Sequence, residues 1–240
     1  MLSANTETSS TRKNATDYLR ELSGQLLRLQ DEERRRISRE LHDSTGQTLC
    51  ALKLALVSLQ NSVITIPNVS EQFEQIFGLL DQATAELRTT SHLLYPPTLE
   101  EAGFASAAQW FVHGFTQRSG IETEVHFCSN PALSKDQELV FFRILQESLT
   151  NVLRHSGSKS VHITLTEVNR HAVLSVRDYG TGIPSHVLQA FKGNGMGLGI
   201  GLAGMKQRVL DMGGHMSIAS GKYGTIVTAK LPLGKTYRVK

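Results

Sequence analysis

Residues 136–155 read DQELVFFRILQESLTNVLRH, and as a helix this segment carries two different stripes. Phe142, Leu145, Leu149 and Val152 recur at spacings of three and four, the mark of a helix packed on a core. Arg143, Glu147, Asn151 and His155 recur every fourth residue along another face. A polar stripe of this kind is ordinarily solvated. Facing a cavity instead, its carboxylate and amide oxygens suit a hard cation such as Mg2+. The flanking segments decide between the two.

Downstream, VHITLTEV (161–168) and AVLSVRD (172–178) alternate with period two across the tight connection VNRH, and so form a β-hairpin. The second strand runs into DYGTGIP (178–184). There Asp178 can accept a hydrogen bond from a planar ligand's amine, while Gly180 and Gly182 let the backbone come close. Taken alone, D-x-G-x-G is more often a turn. GNGMGLGIGLAGM (193–205) follows, with glycines at 193, 195, 197, 199, 201 and 204 leading into a helix. Backbone N–H groups at such a helix start can hold phosphates. The dinucleotide fingerprint fails here, because it needs a βαβ unit and an acidic residue about 20 positions later. No Gly-Lys-Ser/Thr is present, so a P-loop is excluded. HMSIAS (215–220) and GTIVTAKLPL (224–233) are two more strands, and upstream IETEVHF (121–127) is another. Hairpins mixed with helices in this order predict an α+β fold, with a mixed or antiparallel sheet covered by helices on one face.

The first half of the chain is different. From Tyr18 to Val63 the apolar residues Leu19, Leu22, Leu26, Leu29, Ile37, Leu41, Leu49, Leu52, Leu56, Leu59 and Val63 form a narrow seam. A helix this long, apolar on one seam, lies against another helix. VITIPNVS breaks it, and a second helix follows from about Ser70 to Leu94, with Phe73, Ile76, Phe77, Leu80, Ala83 and Leu87 as its buried set. The prolines of YPP end it. Two such helices make a hairpin that dimerises into a four-helix bundle. The domains expected are a flexible polar lead-in (1–16), the dimerisation helices (17–98), a linker helix (99–120) and the α/β domain (121–240).

Within the long helix, ELHDSTGQ (40–47) breaks local rules. A helix-interior glycine such as Gly46 costs about 1 kcal/mol relative to alanine, and such violations concentrate at functional sites. A lone His-Asp pair is ordinarily a solvated face. An imidazole that titrates near pH 6.5 keeps a nucleophilic lone pair at neutral pH, and an adjacent carboxylate can orient it or take its other proton.

Composition fits packed cores, with 40% hydrophobic and 20% charged residues over 240 positions. The formal charge of +3 does not point to nucleic acid or an anionic membrane surface. Cys50 and Cys128 have no metal-ligand spacing and read as free thiols of a reducing cytosol. No apolar run reaches the 18 or so residues of a membrane span. The N-terminus lacks the apolar core of a secretory signal.

A polar helix stripe, a strand ending in D-x-G-x-G, a glycine-rich lid and a closing Gly-Thr strand occur here in one fixed order. In that order, over residues 30–234, the chain resembles a bacterial sensor histidine kinase whose catalytic half has the Bergerat ATP-binding fold of DNA gyrase. RRRISRELHDSTGQ resembles the H-D-x-x-x-Q phosphoacceptor box, with His42, Asp43 and Gln47 at its defined positions. NVLRH resembles the N box, which implies Asn151 at the Mg2+ position with Glu147 and His155 beside it. DYGTG resembles the first glycine box, implying Asp178 as the adenine-reading carboxylate with Gly180 and Gly182. GIGLAGM resembles the second, through Gly199, Gly201 and Gly204, and Gly224-Thr225 matches the closing element. The chain departs from the pattern at Leu94-Tyr95, where many members carry Leu-Arg before two prolines.

The resemblance implies a cytoplasmic, ATP- and Mg2+-dependent homodimer. His42 would attack the γ-phosphorus of ATP, and Asp43 would orient and deprotonate it. The phosphoryl group would pass to an aspartate of a response regulator, one with a helix-turn-helix output domain. Gln47 would position water for the reverse hydrolysis, and Gly46 would belong to the partner's approach surface. No direct contact with nucleic acid is implied. A protein-serine kinase on the same ATP fold, and a non-catalytic scaffold that binds ATP as a conformational ligand, stay open on the residues alone.

Overall fold

A computed structural model describes residues 4–63, 69–193 and 198–234. Residues 64–68 of the VITIPNVS break, together with Gly195 and Gly197 of the lid, lie outside the described residues. The chain divides into two compact units, one formed by residues 29–97 and the other by residues 98–240 with the helical segment before Leu29.

The first of these is a helical hairpin. Helix α1 (Ala4–Glu40) leads into a π-helical turn, Leu41–Thr45, and then α2 (Gly46–Val63); α3 (Val69–Leu94) returns. Helical backbone thus reaches back to Ala4, into the segment read from sequence as a flexible lead-in. Lys53 Nζ on α2 donates to Asp81 Oδ1 on α3 at 2.5 Å. Arg36, hydrogen-bonded to Glu33, holds that carboxyl below its usual range, but the pair is exposed and adds little stability.

The hairpin does not bury its own seam. On α3 only Phe73, Leu80 and Ser91 are buried, and α2 buries nothing. Leu52, Leu54, Val57 and Leu59 on α2, and Ile76 and Leu79 on α3, stay largely open. Ile76 and Ala83, expected in the buried set, are therefore exposed within a single chain. An apolar seam of this size without a cover implies a second surface.

The other unit is an α/β sandwich. Its sheet contains β1 (Glu122–Phe127), β2 (Ser160–Val168), β3 (His171–Asp178), β4 (His215–Gly221) and β5 (Gly224–Pro232), ordered β1-β2-β3-β5-β4. β1 and β2 are parallel and the remaining pairs antiparallel, so the sheet is mixed. The β2–β3 turn places Asn169 and Arg170 at φ 49 and 58. Two consecutive positive φ values match the right-handed twist of the flanking strands. Register lines up apolar rows across the sheet, such as Ile163, Val176, Val227 and Ile218. That face carries the core, while Glu124, His162, Arg177, Ser175 and Thr228 lie on the other.

Helices α5 (Gly103–Ser119), α6 (Lys135–Asn151) and α8 (Ile200–Asp211) cover the apolar face, with α7 (Ser185–Lys192) and the short α4 (Pro97–Glu101) beside them. The segment read as one linker helix is thus two helices, and α5 belongs to the core. Phe111 on α5 meets Phe142 edge-on at 5.5 Å, and Phe104 lies 5.8 Å from Phe141. Ser134 and Gln137 form a reciprocal capping box that starts α6, and Phe141, Phe142, Ile144, Leu145 and Leu149 are fully enclosed.

Candidate functional site

In the sandwich unit, the last residues of the core face open into a cavity of 630 Å³, a volume within the range of small-molecule sites. α6 supplies one wall through Glu147, Ser148 and Asn151, continued by Val152, His155 and Ser156 on a π-helical turn, Val152–Ser156. The polar stripe read along this helix splits. Arg143 is buried at 5% exposure, donates to Gln146 Oε1 at 2.7 Å and leaves the cavity to the other three. Asn151 Nδ2 donates to Glu147 Oε1 at 3.3 Å. That bond turns the amide so that its oxygen, a hard-cation donor, is left for a ligand.

β3 supplies the floor. Asp178 is in register with Val161 and lies two residues past Val176, so it is on the core face where the apolar row ends. It is 6% exposed, and its Oδ1 accepts the Gly180 N–H at 2.8 Å. Its second oxygen makes no hydrogen bond among the described residues and can accept one from a ligand. Val176, Ile183, Val187, Leu202 and Val227 give the apolar walls that a planar ring needs.

The loop after Asp178 is pinned by its glycines. Gly180 packs directly on the Ser156 backbone, with no room for a side chain. Gly182, at φ 81, abuts the Gly221 carbonyl, so both its conformation and its space exclude other residues. Thr181 N donates to Ser156 O at 2.9 Å. Ile183 N donates to Ser220 Oγ at 2.7 Å, and Ser220 Oγ is 3.0 Å from Thr225 Oγ1. Thr225, 6% exposed, therefore lines the cavity and also tethers the loop to the β4–β5 hairpin.

On the lid side, Gly199 and Gly201 line the cavity, and Gly201 lies hard against the Glu147 carboxylate. Of the candidate nucleotide residues, Glu147, Asn151, His155, Asp178, Gly182, Gly199, Gly201 and Thr225 come together here. Gly180 and Gly204 do not line the cavity; Gly180 acts beneath it. Sequence reasoning missed Ser156, Ser158 and Ser220. Ser158 Oγ accepts the Tyr179 N–H at 3.0 Å, next to the carboxylate. The short SGS run after NVLRH was the available signal, whereas Ser220 is linked only through the fold.

The hairpin unit carries the second candidate. His42 and Asp43 lie on the π-helical turn, with side chains 61% and 68% exposed, and Gln47 follows, also exposed. His42 Nδ1 is 3.0 Å from Asp43 Oδ1. Gly46 N–H closes the turn onto Leu41 O, at φ −62. A turn of this kind inside an α-helix is rare and is found often at functional sites.

Residues 33–99 match the family described as histidine kinase, and residues 136–235 match the histidine kinase-, DNA gyrase B- and HSP90-like ATPases. The chain is 30% identical over 223 residues to the sensor histidine kinase MctS of Rhizobium johnstonii, covering 92% of this chain and 48% of MctS. It is 29% identical over 213 residues to the signal transduction histidine-protein kinase/phosphatase UhpB of Salmonella typhimurium, covering 88% of this chain and 41% of UhpB. The chain thus spans about half the length of these curated relatives. Among solved structures it is similar to the histidine kinase domain of the Erythrobacter litoralis EL346 blue-light activated histidine kinase, with a TM-score of 0.49 and 18% identity, over 78% of this chain and 94% of that one. Among the described residues no helix is long and apolar enough to cross a membrane. With one matched region carrying ELHDSTGQ and the other enclosing the Asp178 cavity, the chain belongs to the histidine kinases of bacterial two-component systems, on the branch of the H-D-x-x-x-Q type.

Proposed function

We propose that this chain autophosphorylates His42 from ATP and passes the phosphoryl group to an aspartate of a response regulator, working as a homodimer in the cytoplasm. The observation that carries the reading is the pairing of His42 Nδ1 with Asp43 Oδ1 at 3.0 Å on an exposed helical turn. With Nδ1–H donated to the carboxylate, the lone pair stands on Nε2. Nε2 attacks the γ-phosphorus, the bond to the bridging oxygen breaks, and ADP leaves. Asp43 takes up the Nδ1 proton as the ring gains charge.

In the cavity, Asp178 accepts from the adenine amine, and the glycines of the lid bring backbone N–H groups to the phosphates. The amide of Asn151 and the carboxylate of Glu147 are the oxygen donors a hard cation takes, so the residues present fit Mg2+. Among the described residues no group of three His, Cys, Asp or Glu could hold a metal, so such a cation would be shared with the nucleotide's own phosphates. When bound, Mg2+ neutralises charge on those phosphates. Gln47, one turn past Asp43, positions water against the regulator's phosphoaspartate. UhpB bears the name kinase/phosphatase, which supports the second activity.

The test is incubation with Mg2+ and γ-32P-ATP, followed by acid and alkali treatment. Label that survives alkali and is lost in acid is phosphohistidine and is the expected product. Acid-stable label would mean a serine kinase, and bound ATP without label a scaffold.

A further inference from the structure

The hairpin unit holds, one turn before His42, a pair of hydroxyls that no catalytic step uses. Ser38 on α1 and Ser91 on α3 are each 1% exposed. Their Oγ atoms are 2.8 Å apart, and Ser91 Oγ is 3.0 Å from Ser38 O. Ser38 Oγ also lies 2.7 Å from Tyr95 O and 3.0 Å from Ser91 O. Each hydroxyl has one proton, so these contacts must be shared out. Ser91 O already accepts the Tyr95 N–H at 2.9 Å. Tyr95 O lies in the break between α3 and α4, on a residue only 8% exposed. The assignment that satisfies every group is Ser91 O–H to Ser38 Oγ, and Ser38 O–H to Tyr95 O.

α1 therefore caps the end of α3 across the hairpin. Arg35 adds to the grip, its guanidinium 5.5 Å from the centre of the Tyr95 ring. Apolar side chains tolerate a small slide or roll of one helix on another. A buried hydroxyl relay does not, because any slide strands a donor or acceptor in a dry seam. His42 follows Ser38 by four residues, separated by the last two residues of α1 and the first of the π-helical turn.

We propose that Ser38 and Ser91 are positioning residues for phosphoryl transfer. Their relay fixes the register of α1 on α3 and locks the Tyr95–Pro97 exit, so that His42 is held in one presentation. This rests on the reading of His42 as phosphoacceptor. In-line attack is sensitive to misplacement on the order of 1 Å, which costs up to about 100-fold in rate.

The experiment compares the full chain with Ser38→Ala, Ser91→Ala and the double variant, measuring kcat and KM for ATP with γ-32P-ATP, alongside dimer content and thermal melting. Ser38→Ala removes both the donor to Tyr95 O and the acceptor for Ser91, and is expected to lower kcat by roughly 10- to 100-fold, with KM for ATP unchanged. Ser91→Ala leaves the Ser38 donor in place and falls between wild type and Ser38→Ala. The double variant matches Ser38→Ala, because the two hydroxyls act as one unit. Wild-type kcat in both single variants overturns the proposal, as does a double variant whose losses add. If Ser38→Ala melts below the assay temperature, Ser91→Ala decides alone, and a wild-type kcat there is equally fatal. Absence of phosphohistidine in the unsubstituted chain overturns the kinase reading itself and this one with it.

Discussion

His42 Nδ1 and Asp43 Oδ1 are 3.0 Å apart although they are adjacent on a helix, where neighbouring side chains ordinarily point about 100° apart. The contact reserves Nδ1 for the carboxylate and leaves Nε2 to the solvent. Asp43→Asn keeps the shape but removes the proton acceptor, and an amide can present its N–H to the ring. Autophosphorylation should fall by about 10²- to 10⁴-fold, with KM for ATP unchanged. His42→Gln should give no label at all while binding nucleotide normally. Loss of nucleotide affinity in either variant would show that the turn does more than chemistry.

Asp178 lies at the buried end of β3 with one oxygen held by Gly180 N–H and the other open to the cavity. A hydrogen bond to a charged group contributes about 1.5–3 kcal/mol. Asp178→Asn, which can mispresent a donor to the adenine amine, should therefore weaken ATP binding by roughly 10- to 150-fold. Calorimetric titration on the variant, with melting to verify the fold, checks this. An unchanged affinity would mean that the ring binds elsewhere.

The sandwich was legible where period and connection length agree: VHITLTEV and AVLSVRD alternate, and only the tight VNRH connection joins them. Glu147, Asn151 and His155 were legible as one stripe because spacing along a helix is geometric. Arg143 is buried and does not reach the cavity, which spacing along the helix alone does not record. The π-helical turns at LHDST and VLRHS were equally hidden, since one added residue per turn hardly disturbs an apolar spacing of three and four. Ser38 and Ser91 meet across 53 residues, and Ser220 reaches Ile183 across 37, pairings that exist only after folding.

Leu52 and Leu59 on α2 keep 47% and 52% of their surface open, on a helix with no buried residue. In a dimer they would fill the bundle interior. Leu52→Glu with Leu59→Glu places two charges there and should convert the dimer to monomer in sedimentation velocity, with autophosphorylation lost wherever it needs the mate. A variant that stays dimeric would move the interface off this seam.

Gly46 and Gly182 make opposite demands on the same substitution. Gly182 combines φ 81 with a carbonyl in the place of its Cβ, so Gly182→Ala should destabilise the sandwich unit by about 1–3 kcal/mol. Gly46 has ordinary helical φ of −62, and a Cβ there would meet Leu41 O at 3.8 Å and a Leu87 methyl carbon at 3.9 Å, both comfortable contacts. Nothing within the fold requires glycine at this position, so Gly46→Ala should stabilise the hairpin by up to about 1 kcal/mol. On the proposed function, the glycine serves the response regulator's approach beside His42 and Gln47. Gly46→Ala should melt higher and label His42 normally, yet pass phosphate to the response regulator more slowly. A higher melting temperature with unimpaired transfer would remove Gly46 from the docking surface.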